Sequence, residues 1–128
     1  MGLMVVTALG KVDLETAWQR YLYPQNWDSW APHLTGVASD TPVIAAGTRG
    51  TVKVVHFFTA HFRILAVDPA ARTWTWRVRF GPFRLLLEHG LDADYAGTRA
   101  WIRIWGPTPF LFLYRPLMTW ALHRLVRG

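Results

Sequence analysis

Apolar and polar residues alternate with period two through much of the second half of the chain. In Thr73–Phe80, Trp74, Trp76, Val78 and Phe80 fall on one side and Thr73, Thr75, Arg77 and Arg79 on the other, the pattern of a strand with one buried face. Gly81-Pro82 fits a two-residue type II′ turn: glycine supplies the positive φ of the first position and proline the fixed φ of the second. That turn sets the register of the returning strand, with Phe80 opposite Phe83, Val78 opposite Leu85, Trp76 opposite Leu87 and Trp74 opposite His89. His89 is thereby assigned to the same apolar face as Leu85, Leu87 and Leu91.

The same pattern extends in both directions. Leu3–Leu9 reads as a strand, and Asp13 is placed to cap a helix in which Leu14, Ala17, Trp18, Tyr21 and Leu22 recur at helical spacing before Pro24. A short second helix is expected around Asn26–Trp30, between Pro24 and Pro32. Strands follow at 36–39, 48–58 and 60–67, the last apolar on both parities, which leaves Arg63 and its strand without a defined inward face. After the hairpin, residues 92–97 read as a polar loop and 97–106 as a final strand, with Ala100, Ile102 and Ile104 on one face and Trp101, Arg103 and Trp105 on the other. Pairing Leu91 with Thr98 puts His89 opposite Ala100 and Leu87 opposite Ile102.

The chain closes with a helix from about Pro109 to Arg127, whose expected buried stripe is Leu113, Leu117, Trp120, Ala121 and Leu125. Arg115, Pro116, His123 and Arg124 disqualify it as a bilayer span. The order is one strand, two helices, six strands and one long helix. That predicts an α+β fold with a seven-stranded antiparallel sheet covered by helices on one face, in a single domain spanning 1–128.

Composition sharpens this. The chain is 52% hydrophobic with eight tryptophans, which calls for a large core or an aromatic-walled cavity. Basic residues outnumber acidic ones by 14 to 8, and 12 of the 14 are arginines; the net +6 favours anionic partners without specifying one. The preference for arginine over lysine and for alanine points to a GC-rich bacterial genome. The absence of cysteine excludes disulfides, thiolate metal sites and cysteine nucleophiles. The N-terminal run is too short for a signal-peptide core, and position 6 is Val, outside the myristoylation pattern. A cytoplasmic location, without a transmembrane segment, is the expectation.

Four stretches carry a resemblance: "DLETAWQRYLYPQNWDSWAP", "GTRG" entering a strand, "VDPAARTWTW" joining two strands and "EHGLDADYAGTR" before the last strand. Through them nearly the whole chain resembles the START-like, or SRPBCC, superfamily, in particular its bacterial polyketide cyclase/dehydrase and lipid-transport branch. The resemblance implies a helix-grip (START/Bet v 1-like) fold, a sheet curved around the C-terminal helix with a cavity between them, and a place in secondary metabolism. None of these stretches is a catalytic signature. The final strand, "AWIRIWG", lacks the acidic residue often found in this branch after "GTR".

Two functions then compete for the apolar face. In the first, the chain binds a hydrophobic or aromatic molecule, polyketide- or lipid-like, in a cavity walled by Trp74, Trp76, Val78, Leu85, Leu87, Leu91, Ile102 and Ile104, with Val54, Phe58 and Leu117. The alternative to a cavity is that these side chains fill a core; the resemblance favours the cavity. In the second, the chain is a cofactor-independent polyketide cyclase or dehydratase. His89 is then the general base, with His56, if Val54 and Phe58 face inward, and Tyr114 as orienting or donor groups. The alternative for His89 is a buried neutral imidazole with one partner.

His33 and His61 lie next to turns and read as solvated. No histidine spacing fits a metal site, no glycine-rich phosphate loop occurs, and neither metal nor cofactor is expected. A third possibility places function on the outer sheet face, where Arg77, Arg79, Arg84, Glu88, Trp101, Arg103 and Trp105 mix cations with indoles. Acyl-carrier protein and anionic surfaces are the candidate partners there, against a plain solvated face; specific nucleic-acid binding is not expected. Monomer and homodimer are both compatible with the sequence.

Overall fold

The computed structural model describes residues 2–128. Its strands are β1 (Gly2–Gly10), β2 (Leu34–Ser39), β3 (Arg49–Val54), β4 (Phe58–Asp68), β5 (Thr73–Phe80), β6 (Phe83–Asp94) and β7 (Gly97–Gly106). All seven form one antiparallel sheet in the order β1-β7-β6-β5-β4-β3-β2. Helix α1 (Leu14–Leu22), a 3-10 turn (Pro24–Asn26) and α2 (Trp27–Trp30) connect β1 to β2, and α3 (Thr108–Leu125) closes the chain.

Asp13 caps α1 by accepting from the Thr16 N–H at 3.2 Å and the Thr16 hydroxyl at 2.6 Å. The far end of α1 is tied down by the aromatic segment that follows it: the Trp27 and Trp30 indoles donate to the carbonyls of Tyr21 and Arg20, at 2.9 and 3.0 Å. Arg20 in turn donates to the carbonyls of Leu125 and Arg127, so one guanidinium satisfies the open C-terminal end of α3. These bonds hold α1 and α2 against the end of α3.

The β5–β6 hairpin has the predicted register throughout, from Phe80 opposite Phe83 to Trp74 opposite His89. Gly81 takes φ +56°, the sign that the first position of its turn requires. Three expectations need correction, and one face left open by the sequence is defined. The strand expected over 48–58 is two strands, because Val55 and His56 turn the chain with φ of 48° and 68°, a conformation that neither residue type announces. Strand β4 carries a bulge between Ile64 and Ala66. Ala60, Phe62 and Ile64 face inward before it and Val67, opposite Trp74, after it, so the segment is apolar on both parities while Arg63 faces out.

The β6–β7 pairing is displaced by two residues from expectation: Leu91 faces Ala100, His89 faces Ile102 and Leu87 faces Ile104. The connection is only Tyr95-Ala96, with the Asp94 carboxylate accepting from the Ala96 N–H at 3.1 Å, so most of the expected polar loop is strand. Finally, α3 is rotated from its expected phase. Leu111, Met118, Ala121, Leu122 and Leu125 are buried, whereas Leu113 and Trp120 are exposed. Its first half is apolar almost all round, so periodicity left the phase open.

Two faces of α3 do different things. One lies along β1 and β7 from Thr108 and Leu111, beside Gly2, to Val126, beside Gly10; Leu111, Ala121, Leu122, Leu125 and Val126 are buried there, and the Val12 N–H donates to the Val126 carbonyl at 3.1 Å. The other, carrying Phe110, Leu113, Tyr114 and Leu117, stands over β3–β6 and leaves space beneath it.

Candidate functional site

That space is a cavity of about 310 Å³. The inward positions of β5 and β6 form its floor: Trp74, Trp76, Val78 and Phe80, then Leu85, Leu87 and His89. Val54, Phe58 and Ala60 wall it from β3 and β4, Trp27 and Trp30 from α2, and Phe110, Leu113, Tyr114, Leu117 and Met118 from α3. Val55, Phe58 and Leu113 line the cavity and are themselves exposed, which places its opening between the β3–β4 turn and α3.

Of the residues expected in the wall, Leu91, Ile102 and Ile104 face inward but do not line the cavity. They sit on the part of the sheet nearest β1, where the packed face of α3 fills the interior. His56 is also outside. It occupies the exposed β3–β4 turn, although its neighbours Val54 and Phe58 do line the cavity. His33 is the reverse case: expected to be solvated, it is buried and lines the cavity, its Nε2 3.1 Å from the Tyr114 hydroxyl. Of the three catalytic candidates, His89 and Tyr114 therefore line the cavity, and the structure adds His33 and α2.

The polar atoms of this wall are few. The His89 ring stacks on Trp74 at 3.9 Å between centroids, and Trp74 stacks on Trp27 at 5.6 Å, with Tyr21 edge-on to Trp74 and His89. The Trp27 and Trp30 indoles have their carbonyl partners in α1, but the Nε1 atoms of Trp74 and Trp76 are buried without a protein partner. So are the Nδ1 atoms of His89 and His33.

Burial pushes the pKa of His89 down to about 3, and the neighbouring Trp74 backbone acts in the opposite direction. Burial likewise lowers His33 to about 4 and raises the Tyr114 phenol above its ordinary value. Both histidines are thus neutral at neutral pH. Among the described residues no Asp, Glu, Lys or Arg lines the cavity. Its chemistry is that of an uncharged apolar chamber with indole donors, imidazoles and a phenol at separate points on the wall. Among the described residues no three His, Asp or Glu side chains converge as metal ligands, and no helix is long and apolar enough to cross a membrane.

No protein-family model matches the chain, and no curated protein matches it in sequence. Solved structures do match in fold. A protein from Nitrosospira multiformis superposes with a TM-score of 0.80 at 13% identity, over 98% of this chain and 94% of that one. Ara h 8.0201 gives 0.78 at 11% identity, over 97% of this chain and 94% of that one. DynU16, from the dynemicin biosynthetic locus, gives 0.77 at 15% identity, over 97% of this chain but 45% of that one. The fold is the START/Bet v 1-like helix grip that the sequence resemblance implied.

Proposed function

We propose that the chain binds a compact, mainly apolar small molecule, aromatic or lipid-like, between the sheet and the first half of α3. The observation that carries this is the cavity itself, whose 310 Å³ lies at the low end of the ~300–1,000 Å³ usual for small-molecule sites. A close-packed interior leaves few voids larger than a water molecule, so a space of this size is not ordinary core. The wall carries no formal charge at neutral pH, which selects ligands that enter uncharged. The body of such a ligand would be buried at ~25 cal/mol per Å² of apolar area.

The test is thermal denaturation of the purified protein with a hydroxyanthraquinone, a fatty alcohol and a sterol, each titrated upward. At least one is expected to raise the melting temperature by an amount that grows with concentration, as linkage requires. No rise with any of the three contradicts the proposal.

The His33–Tyr114 contact favours a second reading, in which the cavity cyclises or dehydrates a polyketide chain delivered by an acyl-carrier protein. A general base works best with a pKa near the working pH. His89, lowered to about 3, is farther from that than His33. In this reading His33 and Tyr114 move the proton and His89 orients the substrate. Tyr114→Phe then abolishes turnover while ligand affinity stays within a few fold; equal loss of both contradicts it.

A further inference from the structure

The opening of the cavity is ringed by apolar side chains that stand in solvent. Phe57 is 86% exposed in the β3–β4 turn, and Phe112 and Leu113 are 71% and 79% exposed in the first half of α3. Phe58 and Phe83 are about half exposed. Contacts of Phe58 with Phe80 at 5.3 Å and of Phe83 with Phe110 at 5.9 Å bring both turns and the start of α3 to one end of the molecule. Single exposed apolar side chains are common. Five around the mouth of an apolar cavity form a patch of the kind that meets another apolar phase.

Behind that ring the outer face of the sheet is strongly basic. One residue pair back from the β5–β6 turn, Arg79 lies opposite Arg84 and beside His61. Two positions further on, Arg49, Arg63 and Arg77 line up across β3, β4 and β5. Like charges directly opposite each other on a sheet are destabilising. Yet among the described residues none of these five arginines forms an ion pair, whereas Arg103, nearer β1, pairs with Glu88 at 3.0 Å. Segments 41–67, 69–87 and 95–128, which supply the whole ring and the arginine rows, contain no Asp or Glu.

We propose that this end of the molecule docks on an anionic lipid surface. The phenylalanines and Leu113 enter the interface, the arginines lie on headgroup phosphates, and the mouth of the cavity faces the bilayer. A lipid surface offers apolar and anionic contact across one extended plane, which is the combination displayed here. Nucleic acid would satisfy the arginines but leave the ring in water. Docking needs no ligand in the cavity; exchange of a ligand with the bilayer rests on the binding reading above.

The experiment is flotation of the full chain with vesicles of phosphatidylcholine alone and of phosphatidylcholine mixed with phosphatidylglycerol, over a series of salt concentrations. The chain is expected to float with the mixed vesicles and to be released as salt rises. Phe57→Ser with Phe112→Ser should lower the affinity by roughly tenfold or more. Arg79→Gln with Arg84→Gln should lower it on the order of tenfold. All four side chains are on the surface, and an unchanged circular dichroism spectrum confirms that the variants fold. Failure to float with mixed vesicles overturns the proposal, as does undiminished flotation of the Phe57/Phe112 variant, which would mean general adsorption of a basic chain. Binding to duplex DNA without binding to vesicles also overturns it. Flotation is read without any cavity ligand, so ligand binding without flotation refutes docking alone, and flotation without ligand binding refutes the cavity reading alone.

Discussion

His33 and Tyr114 meet across 81 positions of sequence, His33 buried and Tyr114 partly so. Tyr114→Phe removes the phenol and leaves the imidazole with neither nitrogen paired, since Nδ1 already has no partner. The expected loss is about 1–3 kcal/mol of stability, read by denaturant unfolding; a loss near zero would mean that the pair contributes nothing to the fold. The two buried histidines also set a pH dependence. Their folded pKa values, about 4 and about 3, lie below the unfolded value of 6.5, so the unfolded chain binds more protons between those limits. Their contribution is fully present above about 6.5 and is lost as pH falls toward 4 for His33 and toward 3 for His89, at up to about 1.4 kcal/mol per pH unit for each. His89→Gln should flatten that slope in unfolding curves taken from pH 7 to pH 4. The inward position of His89 was legible because a Gly-Pro turn fixes parity along its whole hairpin. His33 follows Pro32 in a segment with no periodicity, and its partner is far away in sequence, so nothing local marked it as buried. His56 was misplaced for a different reason: a turn built from Val55 and His56 at positive φ carries none of the glycine or asparagine that identifies such turns.

At the scale of elements, side-chain parity was more legible than register. The outer face of β7 was assigned correctly, but its pairing with β6 was off by two residues, a displacement that preserves parity and is therefore invisible to an alternation pattern. Packing fixes the true register. Gly90 lies opposite Trp101, and a Cβ on Gly90 would come within 2.0 Å of the indole, so the strand has a glycine where the ring covers it. Gly90→Ala is expected to displace Trp101, weaken its contact with the Arg103 guanidinium 4.8 Å above the ring, and cost about 1–3 kcal/mol. Unchanged stability together with unchanged tryptophan fluorescence would contradict this packing. The β4 bulge explains the one strand that could not be oriented from sequence. An extra residue reverses parity midway, and two half-strands of opposite phase look apolar on both sides. The phase of α3 was illegible because a helix beginning "PFLFLY" is apolar in nearly every direction; which residues are buried depends on where the cavity stops and the β1 packing begins.

For the whole molecule, the architecture follows from the order of elements, while the cavity does not. An inward-facing tryptophan reads the same whether it touches another side chain or faces open space, so Leu91, Ile102 and Ile104 were grouped with wall residues that the structure separates from them. The separation arises because α3 packs one face on β1 and β7 and turns the other over β3–β6. Val78→Phe tests this division directly, because Val78 lies in the cavity floor. In a close-packed core the larger ring would cost about 1–3 kcal/mol through overpacking. In an open cavity it fills space. The decisive measurement is thermal denaturation of the wild type and of Val78→Phe, with and without rising concentrations of the ligand that most stabilises the wild type. The cavity account predicts that Val78→Phe alone melts no lower than the wild type and that its ligand-dependent rise is lost. A variant that melts lower and still responds to ligand like the wild type would contradict the account.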